Sequence, residues 1–216
     1  MRFHDREEAG RLLGAALARR GVERPLVVLG IPRGGIPVAA QVARAFRAPL
    51  GVVVARKIGA PWNREIAIGA TTANGATYMD PRAFELTGTA ADFVEAERAR
   101  QIREAQRRER IFLTGGGPGV TGRHALVVDD GLATGATAIA AVRSLKAAGA
   151  RRVTLAVPVA ASRTLDWLAE EADEILCLHA DPDFVAVGQY YEDFTQVTDE
   201  EARAILDEYQ AVCRTA

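Results

Sequence analysis

The stretch Ala125–Thr137, which reads ALVVDDGLATGAT, decides the fold of this chain. Its first four residues, Ala125–Val128, form an apolar run rich in valine, which is typical of a strand buried on both faces of a parallel sheet. Two carboxylates, Asp129 and Asp130, end the run, and ligands of open α/β sheets bind at such carboxyl ends. The stretch therefore predicts a parallel strand that delivers two acidic side chains to a crevice.

A helix is predicted directly after this strand. In Ala136–Ala148, the apolar residues Ile139, Val142 and Leu145 recur on one helical face. Thr134–Thr137 then lies at the helix N-terminus, where unpaired N–H groups and the positive end of the helix dipole can hold a phosphate. The loop has no Walker A lysine, which argues against a nucleoside triphosphatase. Because carboxylates accept hydrogen bonds from sugar hydroxyls, an acidic pair beside a phosphate cradle describes a ribose 5-phosphate.

Apolar strands and amphipathic helices alternate along most of the chain, which predicts an α/β fold with a mostly parallel central sheet flanked by helices. The predicted strands of this sheet are Leu26–Gly30, Leu50–Ala55, Ala125–Val128, Arg152–Val157 and Glu174–Leu178. We expect a single domain over residues 1–216, because 216 residues with 49% hydrophobic content can bury one full core.

The motif at Asp129–Thr137 resembles that of the type I phosphoribosyltransferases, whose signature is an apolar strand, two acidic residues and a T-G-x-T loop. The resemblance implies that Asp129 and Asp130 serve the ribose hydroxyls of phosphoribosyl pyrophosphate. It also implies that the 5-phosphate is bound by Ala133, Thr134, Gly135, Ala136 and Thr137. An ordinary turn followed by an ordinary helix cap is the alternative for each half of the motif taken alone.

A second glycine-rich loop, Gly30–Ile36, reads GIPRGGI. Adjacent glycines allow a ligand to approach the backbone, and Arg33 can add a charge-assisted contact to phosphate oxygens. The segment resembles the pyrophosphate loop of xanthine-guanine phosphoribosyltransferases, which implies diphosphate contacts from Arg33, Gly34 and Gly35 and a strained or cis peptide before Arg33. A tight strand-to-helix turn is the alternative.

Two cations, Arg56 and Lys57, follow the predicted strand Leu50–Ala55. They can draw phosphate into the crevice, or they can be a solvated pair that closes the strand. Orotate phosphoribosyltransferases show a similar pair, and the resemblance implies that Arg56 and Lys57 contact the diphosphate. In this interpretation Arg33 and Lys57 neutralise the leaving group.

Residues 59–118 lie between the cationic pair and the central motif. Turn residues at both ends of Gly59–Arg64 are compatible with a mobile lid or with a surface loop. Ile66–Thr72 and Ala76–Met79 predict a hairpin with a type I′ turn at Asn74–Gly75. Residues 81–118 are expected to form a helical insertion, whose interleaved arginines and glutamates favour a solvated helix over a nucleic-acid reader.

Residues 181–197 are expected to form a small C-terminal hood rich in aromatic residues. The hood of hypoxanthine-guanine phosphoribosyltransferases is similar, and it carries the aromatic residue that stacks on the base. The resemblance implies base contacts from Phe184, Val185 and Tyr191. Packing of the last helix against the sheet is the alternative, and we favour it for Tyr190 and Phe194.

Composition excludes several classes of protein. The net charge of −1 shows no basic excess for nucleic acid, and no apolar run is long enough to span a membrane. We therefore expect a soluble, cytoplasmic protein with no nucleic-acid or membrane partner. Two distant cysteines and three histidines without ligand spacing predict no structural metal.

Together these features predict transfer of ribose 5-phosphate from phosphoribosyl pyrophosphate to a nucleobase-like acceptor, with Mg²⁺ bound mainly through the substrate. A non-catalytic regulator of nucleotide metabolism that binds phosphoribosyl pyrophosphate or a nucleotide is the main alternative. A phosphatase or nucleoside hydrolase fits less well, because no nucleophile with a partner base is recognisable. The acceptor, the direction of flux and the oligomeric state, for which a homodimer is one option, stay open.

Overall fold

The computed structural model describes residues 1–64, 66–113 and 116–215. The helices are α1 Arg6–Arg20, α2 Gly35–Phe46, α3 Pro81–Thr87, α4 Ala91–Phe112, α5 Ala136–Ala147, α6 Ser162–Leu168 and α7 Asp199–Thr215. The strands are β1 Leu26–Gly30, β2 Leu50–Val52, β3 Ala55–Gly59, β4 Ala67–Thr72, β5 Thr77–Met79, β6 His124–Val128, β7 Arg152–Ala161 and β8 Glu174–Asp181. Across the described ranges, none of these helices has the length and apolar character that a membrane span needs.

The central sheet is parallel, with the described strands in the order β2-β1-β6-β7-β8. Strand β6 lies in the middle, where Val128 is in register with Gly30 of β1 and with Ala156 of β7. Alternate residues of β6 pack on opposite faces of the sheet. Leu126 belongs to the core formed with α2 and α7, whereas Val127 belongs to the core formed with α5. The predicted α/β fold with a parallel central sheet is confirmed.

The apolar run Leu50–Ala55 does not form one strand. Strand β2 ends at Val52, and Arg56 and Lys57 lie inside β3, which belongs to a separate antiparallel sheet of order β3-β4-β5 and pairs with β4. The prediction that Arg56 and Lys57 close a central strand is therefore wrong. The apolar run continues from β2 through Val53 and Val54 to Ala55 at the start of β3, so apolarity does not show where the chain leaves one sheet and enters the other.

The predicted hairpin is confirmed as β4 and β5, but its type I′ turn is wrong. Gly75 has a φ of 85°, and Arg47 is the one described non-glycine residue with positive φ, whereas a type I′ turn needs positive φ at Asn74 as well. Instead, Gly75 N–H donates to the Thr72 carbonyl at 2.9 Å. The Asn74 side-chain oxygen accepts from Ala76 N–H at 3.2 Å, which holds the longer loop.

The helical insertion packs against the rest of the chain through α4. Four residues of α4 are buried, namely Glu97, Gln101, Ala105 and Phe112, and the helix contacts β3, β4 and α7. Glutamate and arginine do pair at the expected helical spacing, as Glu95 and Arg98 do at 2.9 Å. The expectation of a solvated helix holds for one face only, because Glu97 and Gln101 are polar residues on the packed face.

The N-terminal segment is bound to the predicted hood. Phe3 N–H donates to the Tyr190 carbonyl at 2.7 Å, and Glu192 N–H donates to the Phe3 carbonyl at 2.8 Å. Phe3 is fully buried in a small core that contains Tyr190 and Tyr191. This pairing places the start of α1 beside the carboxyl end of the sheet.

Candidate functional site

The acidic pair lies where the central strand β6 ends. Asp130 N–H donates to Asp129 Oδ1 at 2.9 Å, and Asp130 Oδ2 accepts from Arg6 Nε at 2.8 Å. Burial raises the pKa of Asp129 well above its usual value, and the adjacent Asp130 raises it further. Burial also raises the pKa of Asp130, although the Arg6 guanidinium opposes this rise. A residue of the first helix therefore favours the ionised form of Asp130.

The glycine loop of residues 30–36 touches the acidic pair directly. A Cβ atom on Gly34 would lie 2.0 Å from Asp130 Oδ2, and one on Gly35 would lie 2.6 Å from the Val128 carbonyl oxygen. Both positions therefore require glycine. The peptide bond between Pro32 and Arg33 is cis, as the family resemblance implies. The two loops thus share one crevice.

The candidate phosphate loop has the geometry of an open helix N-terminus. Gly135 has a φ of 75° and caps α5, whose first hydrogen bond runs from Ile139 N–H to the Gly135 carbonyl. The N–H groups ahead of Ile139 precede that bond and can bind an anion. Thr164 Oγ1 donates to the Ala133 carbonyl at 2.6 Å, which holds the loop from α6.

A cleft of about 490 Å³ opens on one side of Asp130. Its described lining residues include Arg6, Arg33, Gly34, Arg108, Asp130 and Phe194. The three arginines come from α1, the glycine loop and α4, so three distant segments bring positive charge to the cleft that Asp130 lines. This volume lies within the usual range for small-molecule sites.

Arg33 has a long contact with the start of α7. Its Nη1 lies 3.6 Å from Asp199 Oδ1 at the start of α7, and both side chains are about 30% exposed. This distance is longer than a hydrogen bond, so the guanidinium keeps donors for a ligand. Arg33 thus lines the cleft beside Asp130, and its role in phosphate binding stays a prediction.

Arg56 and Lys57 do not join Arg33 at the cleft. Because they are consecutive residues of β3, their side chains point to opposite faces of that sheet. Arg56 Nε donates to Gln101 Oε1 at 3.2 Å, and burial together with the nearby Arg108 lowers its pKa. Lys57 is exposed on the other face. Neither residue is among the described lining of the cleft.

Tyr191 supports the acidic pair from inside the hood. Its hydroxyl donates to the Asp130 carbonyl at 2.6 Å, and its side chain is 2% exposed. The ring packs against Phe3 and Phe194, with centroid distances of 5.5 and 5.1 Å. Little ring surface is left for a base, so the predicted base contact of Tyr191 is corrected to a positioning contact on Asp130.

The other predicted base-binding residues lie farther along the hood. Phe184 stacks on Tyr190 at a centroid distance of 5.3 Å, and Val185 is 83% exposed. Phe194, which we expected to be a packing residue, instead lines the cleft, and the Arg6 guanidinium lies 4.0 Å from its ring centroid. Tyr190 is buried, as expected for a packing residue.

The functional candidates that sequence reasoning missed are Arg6, Arg108 and Phe194. Arg6 belongs to the first turn of α1, and Arg108 belongs to a run of alternating charges in α4. Neither local pattern indicates a ligand. Phe194 was recognised as one of several hood aromatics, but nothing in the hood pattern separates the exposed ring from the buried ones.

The donor set at the acidic pair fits a magnesium ion that is bound mainly through other ligands. No group of three or more His, Cys, Asp and Glu residues that could hold a metal occurs within the described ranges. Asp129 and Asp130 nevertheless offer hard carboxylate oxygens, and Mg²⁺ in such sites keeps several waters and substrate oxygens. Cys177 is half-buried, and burial raises the pKa of its thiol to about 11, which disfavours the thiolate form.

Comparison with known proteins identifies relatives over nearly the whole chain. The family model for the phosphoribosyl transferase domain matches residues 8–195. Two relatives from two strains of Mycobacterium tuberculosis, each named "Putative phosphoribosyl transferase", are 44% identical over 206 residues. The match covers 95% of this chain and 46% of each relative, so the chain spans about half the length of those proteins.

A solved structure has the same fold. The crystal structure of TT1426 from Thermus thermophilus is 44% identical to this chain, with a TM-score of 0.81. The alignment covers 97% of this chain and 99% of that one. The overall fold is therefore shared over 97% of this chain.

Proposed function

The chain belongs to the phosphoribosyl transferase domain family, and on this premise we propose that it transfers ribose 5-phosphate from phosphoribosyl pyrophosphate to a nitrogenous base, with release of pyrophosphate. The observation that carries the proposal is the meeting of three features at one sheet edge. These are the acidic pair, the glycine loop that touches it and the open N-terminus of α5. Together they provide hydrogen-bond acceptors for the ribose hydroxyls, with a candidate site for the 5-phosphate on one side and a candidate site for the diphosphate on the other.

In the proposed reaction, the ribose hydroxyls donate to the carboxyl oxygens of Asp129 and Asp130, which accept more strongly when they are ionised. The 5-phosphate binds at Thr134–Thr137, so the sugar is held at both ends and its anomeric carbon is fixed. The bond between that carbon and the diphosphate oxygen breaks, and the departing diphosphate keeps the electron pair. A ring nitrogen of the acceptor then forms the new bond with its electron pair, the proton that this nitrogen carried passes to water or to the departing diphosphate, and no protein nucleophile is needed.

The chain's own charges serve the departing anion. Arg33 lies in the loop that borders Asp130, where its guanidinium can neutralise diphosphate oxygens as charge develops on them. Mg²⁺ is part of this proposal, held by substrate oxygens and water near Asp129 and Asp130, where it would neutralise further charge on the diphosphate. Arg6 keeps Asp130 beside a cation and so favours its ionised form.

The acceptor is proposed to bind under the hood. Phe184 and Val185 lie in the hood segment that follows β8, and Phe184 presents an aromatic ring that is only partly covered by Tyr190. A planar base stacks well on such a ring. Because stacking accepts any planar ring, the proposal covers nitrogenous bases as a class.

A second candidate is a non-catalytic protein that binds phosphoribosyl pyrophosphate or a nucleotide and regulates nucleotide metabolism. The observation that favours it is the ion pair between Arg6 and Asp130, because this pair occupies a carboxylate oxygen that the ribose would need. Both candidates predict binding of phosphoribosyl pyrophosphate. Only the transferase predicts that pyrophosphate is released in the presence of an acceptor.

The test is pyrophosphate release from phosphoribosyl pyrophosphate in the presence of Mg²⁺, with purines, pyrimidines and other nitrogenous compounds as acceptors. Acceptor-dependent release is the expected result, and the Asp129→Asn/Asp130→Asn double variant should lose it. Saturable binding of phosphoribosyl pyrophosphate without release for any acceptor would favour the regulator. Absence of both binding and release would overturn the two candidates together.

A further inference from the structure

Helix α4 brings a cation to the cleft that nothing in its sequence pattern assigns to a site. Arg108 lines the cleft with Arg33, Gly34 and Asp130, and its side chain is 24% exposed. One helical turn earlier, Glu104 Oε1 accepts from Arg108 Nε at 3.1 Å. The side chain is therefore held in a defined direction at the edge of the ligand crevice.

The hydrogen-bonding state of Arg108 leaves donors for a ligand. Its hydrogen bond to Glu104 uses the Nε–H. The two terminal NH₂ groups make no hydrogen bond within the part of the chain that the structure describes. The terminal groups of a guanidinium present parallel donors that match two oxygens of a phosphate. Arg108 can thus bind an anion without giving up its anchor.

The local balance of charge also favours an anion. Glu104 is shared, because its Oε2 accepts from Arg107 Nε at 2.8 Å, whereas its Oε1 accepts both from Arg107 Nη2 at 2.9 Å and from Arg108 Nε at 3.1 Å. The Asp130 carboxylate, which faces the same cleft, is already paired with Arg6 at 2.8 Å. Behind Arg108 lies Arg56, whose pKa is lowered by burial and by the charge of Arg108 itself. Positive charge therefore exceeds negative charge on this wall of the cleft.

From these contacts we propose that Arg108 binds the diphosphate group of the ribosyl donor together with Arg33, so that the helical insertion completes the site. The proposal rests on the proposed function, since it assigns a residue to the leaving group of that reaction. It also replaces the prediction from the sequence that Arg56 and Lys57 contact the diphosphate. The cation that Arg56 and Lys57 were predicted to supply comes instead from α4, and Arg56 supports it from behind.

The experiment measures the affinity for inorganic pyrophosphate in the presence of Mg²⁺, by titration calorimetry on the full chain. Arg108→Gln should weaken binding about tenfold or more, because a charge-assisted contact to phosphate is lost. Arg108→Lys should keep part of the affinity, because the charge remains while the paired donors do not. Arg103→Gln, on an exposed position of the same helix, is the matched control and should bind as wild type does.

A second titration, with ribose 5-phosphate, separates a binding role from a structural one. Arg108→Gln should leave this affinity unchanged, since ribose 5-phosphate binds at the acidic pair and the α5 N-terminus. Equal weakening of both ligands, or no weakening of pyrophosphate, would overturn the proposal for Arg108. If Arg108→Gln loses affinity for pyrophosphate alone, the proposal for Arg108 is supported, even if no acceptor gives turnover. If the wild type turns over and Arg108→Gln binds pyrophosphate as tightly as wild type, the proposal for Arg108 is wrong and the transferase activity is still supported.

Discussion

Arg6 and Asp130 are 124 positions apart in the sequence, yet Arg6 Nε lies 2.8 Å from Asp130 Oδ2. The two side chains are only 11% and 14% exposed. The same guanidinium donates to the Thr195 carbonyl at 2.9 Å and lies 4.0 Å from the ring centroid of Phe194. One side chain therefore connects the first helix, the acidic pair and the end of the hood.

Replacing Arg6 should change the pH dependence of ligand binding. In Arg6→Gln, the pKa of Asp130 should rise, because the cation that opposes the effect of burial is gone. As the pH is lowered, the variant should therefore begin to lose affinity for phosphoribosyl pyrophosphate at a higher pH than wild type does. The free energy of unfolding should fall by about 2 kcal/mol, because a nearly buried carboxylate loses its partner. Arg11→Gln, exposed on the same helix, should change neither quantity.

Asp129 should also affect the free energy of unfolding. Its carboxylate should lower this free energy, whereas Arg6 raises it. Because the folded-state pKa of Asp129 is raised, the folded protein binds more protons than the unfolded chain above pH 3.8, and stability falls as pH rises through that interval. Asp129→Asn removes this penalty, which is about 1.4 kcal/mol for each unit of pKa difference. Urea unfolding at pH 5 and pH 8 should therefore show a variant that is more stable than wild type and less dependent on pH.

Loss of ligand binding should accompany that gain in stability. The amide that Asp129→Asn introduces carries no charge and accepts more weakly from ribose hydroxyls, so phosphoribosyl pyrophosphate should bind about tenfold less tightly. Titration calorimetry on the variant and on wild type measures the difference. A variant that is neither more stable nor weaker in binding would show that the carboxylate of Asp129 is outside the site.

Gly34 should tolerate no side chain. In Gly34→Ala, the new Cβ would meet Asp130 Oδ2 at 2.0 Å, so the carboxylate must move away from Arg6. We expect a loss of phosphoribosyl pyrophosphate affinity of at least about tenfold, measured by calorimetry, with the secondary structure unchanged by circular dichroism. A Cβ at Gly119 meets nothing within 4 Å, so Gly119→Ala is the control. Equal affinities for the two variants would contradict the close contact.

Thr137 should contribute to the binding of the 5-phosphate and not to the binding of pyrophosphate. Thr137→Ala removes a hydroxyl donor at the start of α5, so ribose 5-phosphate should bind about tenfold less tightly. Pyrophosphate affinity should not change, because that anion binds beside Arg33. Titration of the two ligands on one preparation makes the comparison internal. If ribose 5-phosphate binds the variant as tightly as wild type, the assignment of the phosphate loop is wrong.

Phe184 should act on the acceptor alone. Phe184→Ala removes the ring that stacks on Tyr190, so the KM for the acceptor should rise about tenfold while the affinity for phosphoribosyl pyrophosphate stays constant. Phe84→Ala, at a partly exposed ring on α3, serves as the control. Parallel changes in both ligands would indicate that Phe184 only packs the hood.

Much of the fold and half of the site could be predicted from the sequence, because their signals are local. Strands β1 and β6 are continuous apolar runs, and the apolar face of α5 repeats within 12 residues. The glycines at Gly34 and Gly135 mark places where the backbone comes close to another group or takes a positive φ, and a side chain would fit neither. The acidic pair, the glycine loop and the phosphate loop were recognised for this reason.

The remaining part of the site depended on the tertiary structure. Apolarity did not reveal that the run through Leu50–Ala55 changes sheets, so Arg56 and Lys57 were placed at the wrong strand end. Arg6 and Arg108 lie in helices whose charge patterns suit a solvated surface, yet both reach one cleft. Hydrophobic period and turn chemistry act over a few residues, whereas an ion pair or a cleft wall is made by groups far apart in sequence, and only the packing of α1 and α4 against the sheet brings them together.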